Sequence, residues 1–278
     1  MNNKKYELID ETKEFRGRVL HRIKALKDFG NVKTGDLGGW IEGEKNLSQE
    51  GNCWIYKKGV VCDNAIVYDN ARVYGNARVY GNARVYGNAE VFGNARVCGS
   101  AKIYDNAEVC EDAVVYEDAK VYGNACVYGY ARVYDNAEVK GKTIVYDNAR
   151  VYGNAKVYDC AWIYGNARVY EYAKVYEYAK VFGESRIFGD AKLFGHKKLI
   201  GNLTSKVDEY IEIQNPDGRI VTCILKNGNI LYNVGCQEEI TKEDFIDRIH
   251  NTNGGMEVNP HREYYLKIIK MAEMYFSK

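Results

Sequence analysis

Between Ile55 and Leu199 every sixth residue is Val, Ile or Leu, without insertion or deletion. Two residues ahead of all but the last stands a small residue, most often Ala, and one residue behind it usually Tyr or Phe. Within Ala-Arg-Val-Tyr, alternation sends Ala and Val to one side and Arg and Tyr to the other, as in a half-buried strand. The next two residues, mostly Gly, Asp or Glu followed by Asn, tolerate tight or left-handed backbone. Each hexad therefore predicts a very short strand and a corner. Units this small cannot bury an apolar face alone, so they stack coaxially around one narrow core. The tyrosines recur on every side of the stack, which suits external staples packed ring on ring from coil to coil.

The flanks break this period. Residues 4–9 (KKYELI) and 18–26 (RVLHRIKAL) can pair as strands. With the leader at residues 35–56 (GDLGGWIEGEKNLSQEGNCWIY) they predict a β cap over the first coil, where core and unpaired edges need cover. After Leu203, strand-like runs near 209–214, 219–225 and 229–234 are separated by the hairpin signals NPDG (residues 215–218) and KNGN (residues 226–229). Thr241 with Asp244 opens a helix carrying Phe245, Ile246 and Ile249. Asn259 and Pro260 open a second helix, apolar around much of its circumference. The expected division is an N-terminal β cap and lead-in segment over 1–52 and a solenoid over 53–202. A small α+β domain of three strands and two helices over 203–278 completes it, packed on the solenoid end or on another subunit.

Charge changes the picture little. Lys plus Arg, 39, nearly cancels Asp plus Glu, 38, and a net charge of +1 argues against a generic nucleic-acid binder. Cys53, Cys62, Cys98, Cys110, Cys126 and Cys160 fall in several slots of the repeat with no metal-binding spacing. They read as substitutions for Ala, Tyr, Arg and Asn in a reducing compartment, and no metal site is expected. The N-terminal stretch has no apolar signal core, and no apolar run is long enough to span a membrane. A soluble, cytoplasmic protein without membrane contact is the expectation.

Over residues 53–202 the sequence resembles the hexapeptide-repeat family, whose left-handed parallel β-helices place three hexads on each triangular coil. The leader resembles that of bacterial and phage hexapeptide proteins of the YdcK-like group, counted among acyltransferases. The resemblance implies a mainly β chain. Its left-handed parallel β-helix would have about eight coils and run ~40 Å at ~4.8 Å between strands, with an N-terminal β cap and a small C-terminal α+β domain. It also implies what an enzyme here would need: an acyl-CoA donor, a site between subunits of a trimer, a projecting loop and a histidine base. His196, in a corner slot of the last full coil, is the candidate base within the repeat. The unbroken register leaves no projecting loop, and the tyrosines crowd the walls where a CoA arm would lie. Acetyl-CoA is the cofactor under that reading alone; otherwise none is expected.

With three hexads per coil, outward slots form ladders of unequal character. One wall carries Arg78, Arg96, Arg132, Arg150, Arg168 and Arg186 beside Tyr80, Tyr116, Tyr134, Tyr152 and Tyr170. This is a candidate anion-binding face suited to nucleotides or single-stranded nucleic acid. The flanking corner acids Glu117, Asp118, Asp135, Glu171 and Asp190 are expected to pair with these arginines and lower the potential. Another wall stacks Cys126, Ile144 and Trp162 beside Tyr128, Tyr146 and Tyr164, an apolar strip that predicts a self-association surface. The preferred reading is a non-catalytic scaffold that forms a dimer or trimer and presents its C-terminal domain or a wall to a macromolecular partner. The phage resemblance suggests a host protein as that partner. An acyltransferase and a nucleotide or nucleic-acid binder are the alternatives.

Overall fold

A computed structural model describes residues 4–195, 198–202, 209–214, 220–226, 228–234, 237–251 and 262–276. The chain is mainly β: N-terminal strands, a parallel β-solenoid of about nine turns, and two helices near the C-terminus. Nearly every hexad contributes a two-residue strand such as Arg132–Val133 or Ile144–Val145; the exceptions are the longer strands Lys180–Ile187 and Lys198–Asn202. Strands 18 residues apart pair in parallel, for example Arg132 with Arg150 and Ile144 with Trp162. The aliphatic residues and alanines of the repeat line the interior, fully buried from Ala65 to Val181. Two hydroxyls replace alanine without leaving a polar group unmatched. Thr143 Oγ1 donates to the Lys140 carbonyl at 2.6 Å, and Ser185 Oγ to that of Phe182 at 2.5 Å.

The solenoid begins earlier than the strict hexad period. Strand β1 (Tyr6–Phe15) forms an antiparallel hairpin with β2 (Arg18–Ala25), and β2 pairs with β3 (Leu37–Ile41). Strand β3 then joins a ladder in parallel, Ile41 opposite Val61, and Leu47 bridges to Val67. The leader thus supplies most of an additional coil. Its glycines are required by contact: a Cβ on Gly38 would lie 2.5 Å from Ile23 Cγ1, and one on Gly39 2.6 Å from the Gly59 carbonyl oxygen. Asn46, fully buried, closes the corner by donating to the carbonyls of Asp63 and Ala65 at 3.1 and 2.9 Å.

The hairpin does more than cover an end. Its tip lies on the outside of the arginine wall, where Leu20, Val60 and Cys62 form a small core with Phe15, Trp40 and Tyr80.

Beyond the solenoid, strands Glu209–Gln214, Ile220–Lys226, Asn229–Val234 and Gln237–Ile240 make an antiparallel sheet. The sequence predicts three strands; the fourth, Q-E-E-I, has too little apolar alternation to signal itself. Thr241 caps helix α1 (Lys242–Asn251), its Oγ1 accepting from the Asp244 amide at 3.1 Å. Phe245 and Ile249 pack with Tyr265, Ile268 and Ile269 of helix α2 (Arg262–Phe276) against Val221, Cys223 and Tyr232. Ile224, on the other side of the same strand, joins the solenoid core, so the sheet lies between the helices and the last coils. Asn259 and Pro260 lie outside the described residues. No helix among those described is long and apolar enough to cross a membrane.

Candidate functional site

The two outward residues of each strand build every wall, one just before the buried aliphatic and one just after it. On the apolar wall the first column runs Glu90, Glu108, Cys126, Ile144, Trp162, Lys180, each paired in register with the next. Trp162 is 36% exposed, and Lys180 Nζ lies 4.4 Å from its ring centroid. In the second column the rings of Tyr128, Tyr146, Tyr164 and Phe182 stack with centroids 5.1, 5.0 and 5.0 Å apart and planes within 11°. Burial, followed by the charge of Glu108, pushes the Cys126 thiol above its usual range. Both effects disfavour the thiolate. The six residues of the predicted strip, Cys126, Tyr128, Ile144, Tyr146, Trp162 and Tyr164, sit together on three consecutive rungs.

The arginine wall differs from its expected form at both ends of the argument for anion binding. At its start the hairpin occupies it: the Arg78 guanidinium lies 5.3 Å from the Phe15 ring, and Arg16 lies 4.3 Å from that of Tyr80. Val114 then separates Arg96 from Arg132, leaving Arg132, Arg150, Arg168 and Arg186 as a continuous run. The sequence predicts neutralisation of this run by corner acids, but among the described residues none of these four arginines makes an ion pair.

The carboxylates turn toward the backbone instead. Glu117 accepts from the Asp135 amide at 3.0 Å, Asp135 from Gly153 at 2.8 Å, and Glu171 from Gly189 at 2.8 Å, each one coil on. The physical reason is the corner itself. These acids hold φ near +57°, which aims the carboxylate along the stack at the next corner's N–H.

The aromatic column beside the arginines also limits what the wall can recognise. Tyr116, Tyr134, Tyr152, Tyr170 and Phe188 stack at 4.8–5.1 Å with planes within 12°. Both π faces of Tyr134, Tyr152 and Tyr170 are covered by their neighbours. A base that needs an open aromatic face finds none on these three rings. On the remaining wall Glu138 bridges Lys120 at 3.3 Å and Lys156 at 3.7 Å.

His196 lies outside the described residues. His21 is on β2, opposite Ile41, and His250 is exposed near the end of α1. Among the described residues no histidine lies on a coil. One close pair escapes the sequence: Cys53, legible only as a replacement for alanine, touches the buried Lys5. Nothing in the period of the repeat could place a residue of the N-terminal strand against it.

Comparison with known proteins matches part of the repeat region. The family described as the YdcK β-solenoid repeat matches at residues 67–81, 71–87, 77–90, 83–99, 145–159 and 161–177. The uncharacterized acetyltransferase YdcK of Escherichia coli is 39% identical over 66 residues, which cover 21% of this chain and 20% of that protein. The match thus spans about a fifth of the relative's length. Among solved structures, the UDP-N-acetylglucosamine O-acyltransferase of Moraxella catarrhalis aligns at 13% identity over 84% of this chain and 91% of its own, with a TM-score of 0.33. The Arabidopsis UDP-N-acetylglucosamine acyltransferase aligns at 9% identity over 86% and 90%, with a TM-score of 0.32. Over its repeat region the chain is similar to hexapeptide-repeat proteins of the YdcK-like group.

Proposed function

We propose that this protein is a β-solenoid scaffold that pairs with a second copy of itself through the wall centred on Ile144, leaving its other surfaces for a macromolecular partner. One observation carries the reading. The column Glu108, Cys126, Ile144, Trp162, Lys180 is self-complementary when reversed about its middle rung. Reversal sets Ile144 on Ile144, Cys126 on Trp162 and Glu108 on Lys180. A two-fold axis lying in the interface along the Ile144–Val145 strand performs this reversal and keeps each column facing its own counterpart. The aromatic column inverts consistently, Tyr128 against Tyr164 and Tyr146 against itself. The result is an apolar centre with an opposite-charge pair at each end, the arrangement that favours one register over sliding alternatives.

Size-exclusion chromatography with light scattering, run over a range of concentrations, tests the pairing. The unmodified chain is expected to dimerise and Trp162→Glu to be monomeric. Glu108→Lys and Lys180→Glu should each weaken dimerisation by about tenfold or more, and the two together should restore it, because the swap recreates both charge pairs. An unmodified chain that stays monomeric, or a double variant no better than the singles, would overturn the proposal. Acetyl transfer, the activity in the Escherichia coli relative's name, is the competing reading. Under the scaffold reading acetyl-CoA leaves the melting temperature unchanged, whereas a concentration-dependent rise would favour the enzyme.

A further inference from the structure

Lys5 and Cys53 meet where the N-terminal strand closes over the first coil. Both are fully buried, and Lys5 Nζ lies 3.1 Å from Cys53 Sγ. The same nitrogen lies 3.2, 3.4 and 3.0 Å from the carbonyl oxygens of Glu50, Gly51 and Cys53, and 5.1 Å from the centroid of the Phe29 ring. The thiol in turn faces the carbonyls of Ser48 and Glu50 at 3.6 and 3.5 Å. Three carbonyls are enough to satisfy an ammonium, so the sulfur is an additional neighbour that nothing in lysine capping requires. The two side chains come from segments 48 residues apart and are aimed at each other inside a pocket closed to water.

We propose that Lys5 and Cys53 are the two ends of a covalent lysine–cysteine link through a single bridging oxygen, made with dioxygen as the oxidant. The neutral amine loses one N–H hydrogen and the thiol its S–H hydrogen. The O–O bond breaks, N–O and O–S bonds form with one oxygen atom, and the other leaves as water with both hydrogens. Nitrogen and sulfur each give up two electrons, and dioxygen takes up all four. Burial favours the uncharged reactants on both sides: it lowers the Lys5 amine below the usual lysine range and raises the Cys53 thiol. Once made, the link closes a loop that contains β1, β2, β3 and most of the leader, and so fastens the hairpin and the first coil to each other.

Intact-mass measurement and peptide mapping of the full chain test this. Protein exposed to oxygen is expected to be one oxygen heavier and two hydrogens lighter than protein prepared anaerobically. One cross-linked species should join the peptide holding Lys5 to that holding Cys53, and dithiothreitol should reverse it. The shift should vanish in Cys53→Ala and in Lys5→Arg. Its thermal counterpart is a melting temperature lowered by dithiothreitol in the unmodified chain but not in Cys53→Ala. An unchanged mass after oxygen saturation would overturn the proposal. So would oxygen added to Cys53 in Lys5→Arg with no cross-linked peptide in the unmodified chain, since that marks simple thiol oxidation. The map of the unmodified chain decides the matter even if a variant fails to fold.

Discussion

At the scale of single residues, the corner acids show where a periodic sequence is legible and where it is not. Their slot follows from the hexad, and so does their tolerance of left-handed backbone. Their partners do not, because the period says which side of a strand a residue occupies but not which way a corner side chain leans. Opposite charge on the same wall points to the arginines; the corner geometry instead delivers each carboxylate to an N–H one coil on. Asp147 is representative, with φ 56° and its carboxylate 3.1 Å from the Gly165 amide nitrogen. Removing the carboxylate loses a charge-assisted bond, and a methyl at this φ adds strain. Asp147→Ala is therefore expected to cost about 2 kcal/mol. Asp147→Gly loses the same bond without the strain and should be the more stable of the two by about 1 kcal/mol. Urea midpoints of the two variants check the order; equal midpoints would mean that the left-handed backbone carries no penalty here.

At the scale of elements, the tyrosine columns are the part of the solenoid that the sequence describes best. A ring in nearly every hexad on every wall makes coil-to-coil stacking predictable, and the stacks form with near-parallel planes on all three walls. Tyr152 sits between Tyr134 and Tyr170, with centroids 4.9 Å away on both sides. Tyr152→Ala gives up both contacts and should destabilise the chain by about 1–3 kcal/mol. Tyr130, 65% exposed in a corner slot, is the control, and Tyr130→Ala should change stability by about 0.5 kcal/mol or less. Equal effects in thermal melts would refute the staple role.

Elements outside the period were harder to read. From Leu47 to Ile55 the spacing departs from six, which hides the coil that begins at Ile41 from any fixed-step search. The hairpin's seat on the arginine wall depends on Phe15 and Arg16 meeting Arg78 and Tyr80, contacts between segments that share no pattern. A long-range contact of that kind leaves no local signature.

At the scale of the whole molecule, core and walls obey different rules. Most hexads offer the core the same Ala and Val, so the interior is largely indifferent to which hexad follows which. The walls are not, because their character depends on residues 18 apart staying in line. Deleting the single hexad at residues 111–116 separates the two. The chain then passes from Cys110 to Glu117, Ala119 and Val121 enter the slots vacated by Ala113 and Val115, and the core closes as before. Every ladder beyond the deletion moves over by one wall. Arg132 takes the place of Cys126 above Glu108, while Cys126, Ile144, Trp162 and Lys180 shift together onto the wall that carries Lys102. The expected product folds, with the far-ultraviolet spectrum of the parent and a cooperative melt, but its apolar rungs no longer share a wall with Glu108. Each of its two Glu108–Lys180 contacts is gone, and light scattering should find dimerisation weakened to the extent seen for Glu108→Lys or beyond. If the shortened chain dimerises as well as its parent, the apolar rungs alone set the pairing and the charged ends do not fix its register.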